Sequence, residues 1–179
     1  MSKDIKFGQR VSAPDFKMKR GAVTRQDGLT VSKVATATFD TAGTDSAGVA
    51  NTTIAAHGTG VYVPDNAVIT RAWYDVVTTF TSATDTATIA LHVASAGDLL
   101  VADDIADTTD PFNAGLHHAI PGAPALGADA AHDTALEVGA LIAGTFIKLS
   151  AEKEIIVTVA VAALTAGKMV IFVEYLISD

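Results

Sequence analysis

The chain of 179 residues contains no cysteine. That absence excludes a disulfide framework and thiolate chemistry, and it fits folding in a reducing cytoplasm. Aromatic residues make up only 6% of the sequence, with a single Trp, so stacking surfaces for sugars or bases are scarce. The longest apolar run, residues 155–164, is broken by Thr158 and is far too short to span a membrane as a helix. The opening MSKDIKFGQR carries charge with no apolar stretch behind it, so no signal peptide is expected. The sequence also lacks a nucleophile elbow, a P-loop, a dinucleotide-binding glycine pattern followed by a helix, and a zinc-protease helix motif. Neither a catalytic residue nor a cofactor is expected.

Basic residues are nearly missing from most of the chain. Residues 1–33 hold eight Lys and Arg against three Asp, a net of +5, whereas residues 34–179 hold four against seventeen acidic residues, a net of −13. Residues 1–30 show no period of helix or strand, and Pro14, Gly8, Gly21 and Gly28 interrupt them. Ordering such a segment costs about 1–2 kcal/mol per residue in backbone entropy, which its scattered apolar side chains hardly offset alone. It reads as an extended basic arm. It could be solvated or docked on an acidic surface, and the four basic residues Lys17, Lys19, Arg20 and Arg25 are the candidate docking set. Nucleic acid is the weaker partner, because an acidic body repels phosphate and no stacking aromatics are interleaved with the charge.

From residue 31 onward the chain is rich in Ala, Val and Thr in strand-like order. The organising stretch is Val68 to Val93. Its second half alternates, with Ala87, Ile89, Leu91 and Val93 on one face and Thr86, Thr88, Ala90 and His92 on the other. With the polar connector Thr81 to Asp85, the stretch predicts an antiparallel hairpin. A second hairpin is predicted from Glu154–Val161 and Lys168–Ile177, joined by Leu164–Gly167. There Ile155, Val157, Val159 and Val161 form one face, and Met169, Ile171, Val173, Tyr175 and Ile177 the partner face. The opposite face mixes Glu154, Thr158 and Glu174 with Ile156, Phe172 and Leu176, as expected if it meets another subunit or the arm.

Further strands are expected at Val31–Phe39, Thr52–Ala56, Val61–Val63, Asp98–Val101, Leu136–Ile142 and Thr145–Leu149. Turns are expected at His57–Gly60 and Pro64–Asn66, and residues 111–135 read as an irregular, Pro- and Gly-rich loop. The expected class is all-β, an antiparallel sandwich or jelly roll over residues 31–179 behind an arm at 1–30.

The five histidines, His57, His92, His117, His118 and His132, lack metal-ligand spacing and read as surface or half-buried side chains. The acidic run Asp98, Asp103, Asp104, Asp107 and Asp110 does not follow the order of an EF-hand loop and reads as solvated. No metal site is expected.

Residues 61–76, VYVPDNAVITRAWYDV, followed by Thr78–Ser82 and by Thr86–Leu91, resemble a pattern in virion structural proteins of tailed bacteriophages. The close, Ala163–Lys168 followed by Phe172–Tyr175, matches the same pattern. The resemblance covers roughly residues 58–177 with a gap in the Pro/Gly-rich middle. It implies a non-enzymatic capsid decoration, or cement, protein on the capsid exterior, made in the host cytoplasm. It also implies a homotrimer that binds the major capsid protein, with a terminal arm reaching between capsomers, and neither nucleic acid nor membrane as a partner. The alternative it leaves open is a tail fibre or spike module binding host-surface glycan. The family supplies no catalytic residue to carry over.

Overall fold

The computed structural model describes residues 32–106, 111–119 and 146–178. The expected arm, the strand at Leu136–Ile142 and most of the loop at 111–135 lie outside them. Among the described residues nine strands run in chain order: β1 (Lys33–Asp40), β2 (Ala55–Val63), β3 (Ala67–Ser82), β4 (Thr88–His92), β5 (Leu100–Asp104), β6 (Gly115–Ala119), β7 (Ile147–Lys148), β8 (Lys153–Ala160) and β9 (Leu164–Ile177). There is no helix among the described residues.

The strands form two antiparallel sheets, one ordered β1-β9-β3-β6 with β7 also on β3, the other β2-β8-β4-β5. The pairing is nested. β4 pairs with β5, β3 with β6, β2 with β8 and β1 with β9, so the chain doubles back about the β4–β5 connection.

Period-two alternation builds the core between the sheets. Ala35, Ala37 and Phe39 of β1 and Met169, Ile171 and Val173 of β9 are buried from one side. Ile155, Val157 and Val159 of β8 with Ile89 and Leu91 of β4 are buried from the other. On β3 the inward set switches from Ala67 and Ile69 to Ala72, Tyr74 and Val76 across a register shift between Ile69 and Arg71. An extra residue at a bulge produces such a switch, because it flips the face of every residue after it. Tyr74, Phe80 and Phe112 lie near one another, with ring centroids 6.0 Å apart for Tyr74–Phe112 and for Phe80–Phe112. Gly167, at φ 143°, lets the Phe80 ring lie directly on the β9 backbone, where a Cβ would run into the ring.

Both predicted hairpins are corrected. β3 pairs with β9 and β4 with β8, so Val68–Val93 crosses from one sheet to the other. β8 and β9 are likewise in different sheets, and Leu164–Gly167 is the start of β9 rather than the turn. The alternation is present, but it states only that one face of each strand is buried. In a hairpin the buried faces point the same way; across a sandwich they point at each other, and the period is the same in both. Two smaller corrections share a cause in local Gly content. His57–Gly60 continues β2 through a register shift instead of turning, and residues 115–119 of the irregular loop form β6. The Pro64–Asn66 turn is present, with Asn66 at φ 58°.

Candidate interaction surface

The outer face of the β1-β9-β3-β6 sheet is built by the residues that alternate with the core. Cross-strand pairing aligns Thr36 with Phe172, Phe172 with Trp73, and Trp73 with His118, a row across four strands. The next row is Thr38, Val170, Asp75 and Leu116. On the other side of the aromatic row, Val34 and Arg71 both pair with Glu174.

Trp73 and Phe172 stack at the middle of this face, with ring centroids 5.3 Å apart and planes at 10°. The Arg71 guanidinium lies 5.6 Å from the Trp73 ring centre, within cation–π range. Around the stack, Leu116 is 65% exposed, Val77 53% and Val34 48%. A protein of low aromatic content thus spends its only Trp on a face that is not core. The other sheet differs. Its outer positions include Ala56, Gly58, Thr158, Ala160 and Thr88, and its exposed aromatic is Tyr62 beside Glu154.

The histidines divide by position. His118 is exposed and His117 is half-buried against Tyr74, with ring centroids 5.2 Å apart, so adjacent residues point to opposite faces of β6 as expected. His92 is half-buried, and burial pushes its pKa below the ordinary value against the opposing pull of Asp98. His57 corrects the surface reading. It is fully buried, with Nδ1 3.2 Å from an Asp45 carboxylate oxygen and Nε2 2.9 Å from the Thr53 carbonyl oxygen. No spacing rule marks this pair, because Asp45 lies twelve residues upstream in a loop. His132 lies outside the described residues.

The acidic run is partly structural. Asp98 accepts backbone N–H bonds from Val93, Ala94 and Ser95 at 2.8–2.9 Å and so holds the β4–β5 connection. Asp103 is buried and accepts from the Asp104 amide at 2.9 Å. The solvated reading is therefore corrected for Asp98 and Asp103; Asp107 and Asp110 are outside the described residues. Among those described, no group of three or more His, Asp or Glu side chains is placed to hold a metal ion. The candidate docking residues Lys17, Lys19, Arg20 and Arg25 also lie outside them.

No protein-family profile matches the sequence, and no curated protein is significantly similar to it. Solved structures do match. A chain in the acidic stable capsid structure of Helicobacter pylori bacteriophage KHP30 superposes with TM-score 0.52 at 15% identity, over 84% of this chain and 90% of that one. A chain in the capsid asymmetric unit of cyanophage Pam1 superposes with TM-score 0.52 at 18% identity, over 82% and 85%. The fold is one found in phage capsids. At these identities the likeness is one of backbone architecture. It extends over most of both chains, so it concerns the whole sandwich and not a fragment of it.

Proposed function

We propose that this chain is a non-enzymatic structural component of a phage virion, and specifically a capsid decoration protein acting as a homotrimer on the outside of the shell. The observation that carries the reading is the near full-length match in fold to chains of two phage capsids, at 82–84% of this chain. The nested strand pairing supports a jelly roll, an arrangement common among viral capsid domains. The Trp73–Phe172 stack, with exposed Leu116, Val77 and Val34 around it, supplies apolar area for a subunit joint.

The mechanism is mechanical. A protein that binds the mature shell and not its precursors or fragments stabilises that shell by mass action. The basic segment bearing Lys17, Lys19, Arg20 and Arg25 would pair with acidic shell surface, adding on-rate and specificity more than affinity. The test is co-sedimentation with undecorated phage heads, using the full chain and a chain lacking residues 1–30. Saturable binding lost on truncation supports a decoration protein with an N-terminal anchor. Saturable binding that survives truncation moves the interface onto the sandwich. No binding in either run overturns the decoration reading.

The second reading, a fibre or spike module for host glycan, draws on one observation: Trp73 stands on an open sheet face. Arg71 and Phe172 both lie against its ring, which leaves little of it for a sugar. Copy number in the virion separates the two, many for decoration and few for a fibre.

A further inference from the structure

Three connections meet at one end of the sandwich: residues 41–54 between β1 and β2, 83–87 between β3 and β4, and 161–163 between β8 and β9. They are tied together. The Thr41 amide and hydroxyl both donate to the Gly167 carbonyl at 3.0 Å, the Leu164 amide donates to the Thr52 carbonyl at 3.0 Å, and the Thr81 and Thr165 hydroxyls are 2.8 Å apart.

This end carries little net charge. Within the three connections only Asp45 and Asp85 are charged, Asp85 exposed, and beside the Thr41–Gly167 tie the Asp40 and Lys168 charges offset each other in an ion pair. Asp45 is turned inward, its side chain 4% exposed, with its carboxylate taken by the Ala47 and Val49 amides and by His57. Three large apolar side chains project instead: Val49 at 42% exposure, Ile54 at 56% and Val161 at 67%.

Val161 is held there against its own preference. Its φ is 66°, and the Ala162 amide donates to the Ala160 carbonyl at 2.8 Å, closing a three-residue turn around it. Positive φ is unfavourable for a β-branched residue, and this kind of γ-turn is strained. Every other positive-φ position among the described residues is Gly, Asn or Asp. A strained residue of the wrong type for its conformation, with its side chain in water, is a feature expected where something binds.

We propose that this end of low net charge, with Val161 at its tip, is where a second copy of the chain packs. The choice of occupant follows from charge. Residues 34–179 carry a net of −13, so two copies repel wherever their acidic surfaces meet, and they approach most readily where little net charge is presented. A basic partner would choose the acidic surface instead. The proposal rests on the homo-oligomer reading above and specifies its contact.

The test uses the full-length protein and four chains: wild type, Val161→Asn, Ile54→Ser, and Tyr62→Ser on the outer face of the other sheet as a control. Self-association is measured by sedimentation equilibrium, thermal unfolding by calorimetry at matched oligomer state, and binding to undecorated heads by co-sedimentation. Asn tolerates positive φ, so Val161→Asn is expected to raise the Tm of the dissociated chain while weakening self-association by about tenfold or more. Ile54→Ser is expected to weaken it as well, and Tyr62→Ser to leave it unchanged. Wild type that stays monomeric overturns both the proposal and the homo-oligomer reading. Wild type that associates equally well as Val161→Asn and Ile54→Ser overturns the proposal alone. Loss of head binding with self-association intact would also overturn it, and would give this end to the shell.

Discussion

His57 and Asp45 fasten the β1–β2 connection to the sandwich through a buried contact of 3.2 Å. The same carboxylate accepts the Val49 amide at 2.8 Å and the Ala47 amide at 2.9 Å, so one side chain organises a loop and ties it to β2. The Val49 amide is the main cause holding the Asp45 carboxyl below its ordinary pKa, with the Ala47 amide and His57 adding to it against the cost of burial.

A stability dependence on acid follows. A carboxyl depressed in the folded state and ordinary in the unfolded one stabilises the fold above its unfolded value, and that contribution is lost as pH falls through the folded value. Asp45→Asn is therefore expected to lower Tm at neutral pH and to narrow its gap from wild type well below about pH 4. Thermal unfolding across pH tests this. An equal gap at both ends of the range would remove Asp45 from the acid response.

Gly167 faces the Phe80 ring at φ 143°, a region open to Gly. Gly167→Ala is expected to destabilise by about 1–3 kcal/mol, because a methyl group drives into a packed ring and the backbone is strained as well. Urea unfolding would measure it. Adding Phe80→Leu should recover part of the loss, and a double mutant no better than the sum of the singles would place the cost in the backbone alone.

The single Trp gives the outer sheet face its own optical signal. Phe172→Ala removes the ring stacked on Trp73 at 5.3 Å while leaving the core intact. Its expected cost is modest, about 0.5–1.5 kcal/mol, with the emission of Trp73 shifted to the red. If emission is unmoved while the protein stays folded, the stack is absent in solution.

Lys168 and Asp40 form an ion pair at 3.0 Å, with side chains 41% and 36% exposed. At that exposure solvent screens the pair, and Lys168→Ala is expected to change stability by no more than about 0.5 kcal/mol. A larger loss in a salt titration would show that the bridge is stronger than its exposure implies.

Where the sequence was legible, a period carried the information. Ala87, Ile89, Leu91 and Val93 were assigned to one buried face, and they are buried. The Pro64–Asn66 turn was legible because Asn accepts positive φ. His57 was not legible, since its partner is set by the path of a loop. Nor was the role of Asp98, whose carboxylate is consumed by the amides of its own turn. Trp73 and Tyr74 show the limit most directly. They are neighbours on one strand and must face opposite ways, yet which of them enters the core depends on the register shift after Ile69. The half-apolar face expected to hold Ile156, Phe172 and Leu176 together is divided between two sheets, and the place of Trp73 beside Phe172 was not legible.

By itself the sequence determined that the chain is built of strands, because side-chain period and β-branched content are local properties. It determined too that no thiol chemistry is available and that charge is divided between its first 33 residues and the rest. Tertiary structure alone decided which strands are partners, because a short connector serves a hairpin and a crossing between sheets equally well. That decision puts β3 beside β9, stacks Trp73 on Phe172, and gathers three connections into one end of low net charge.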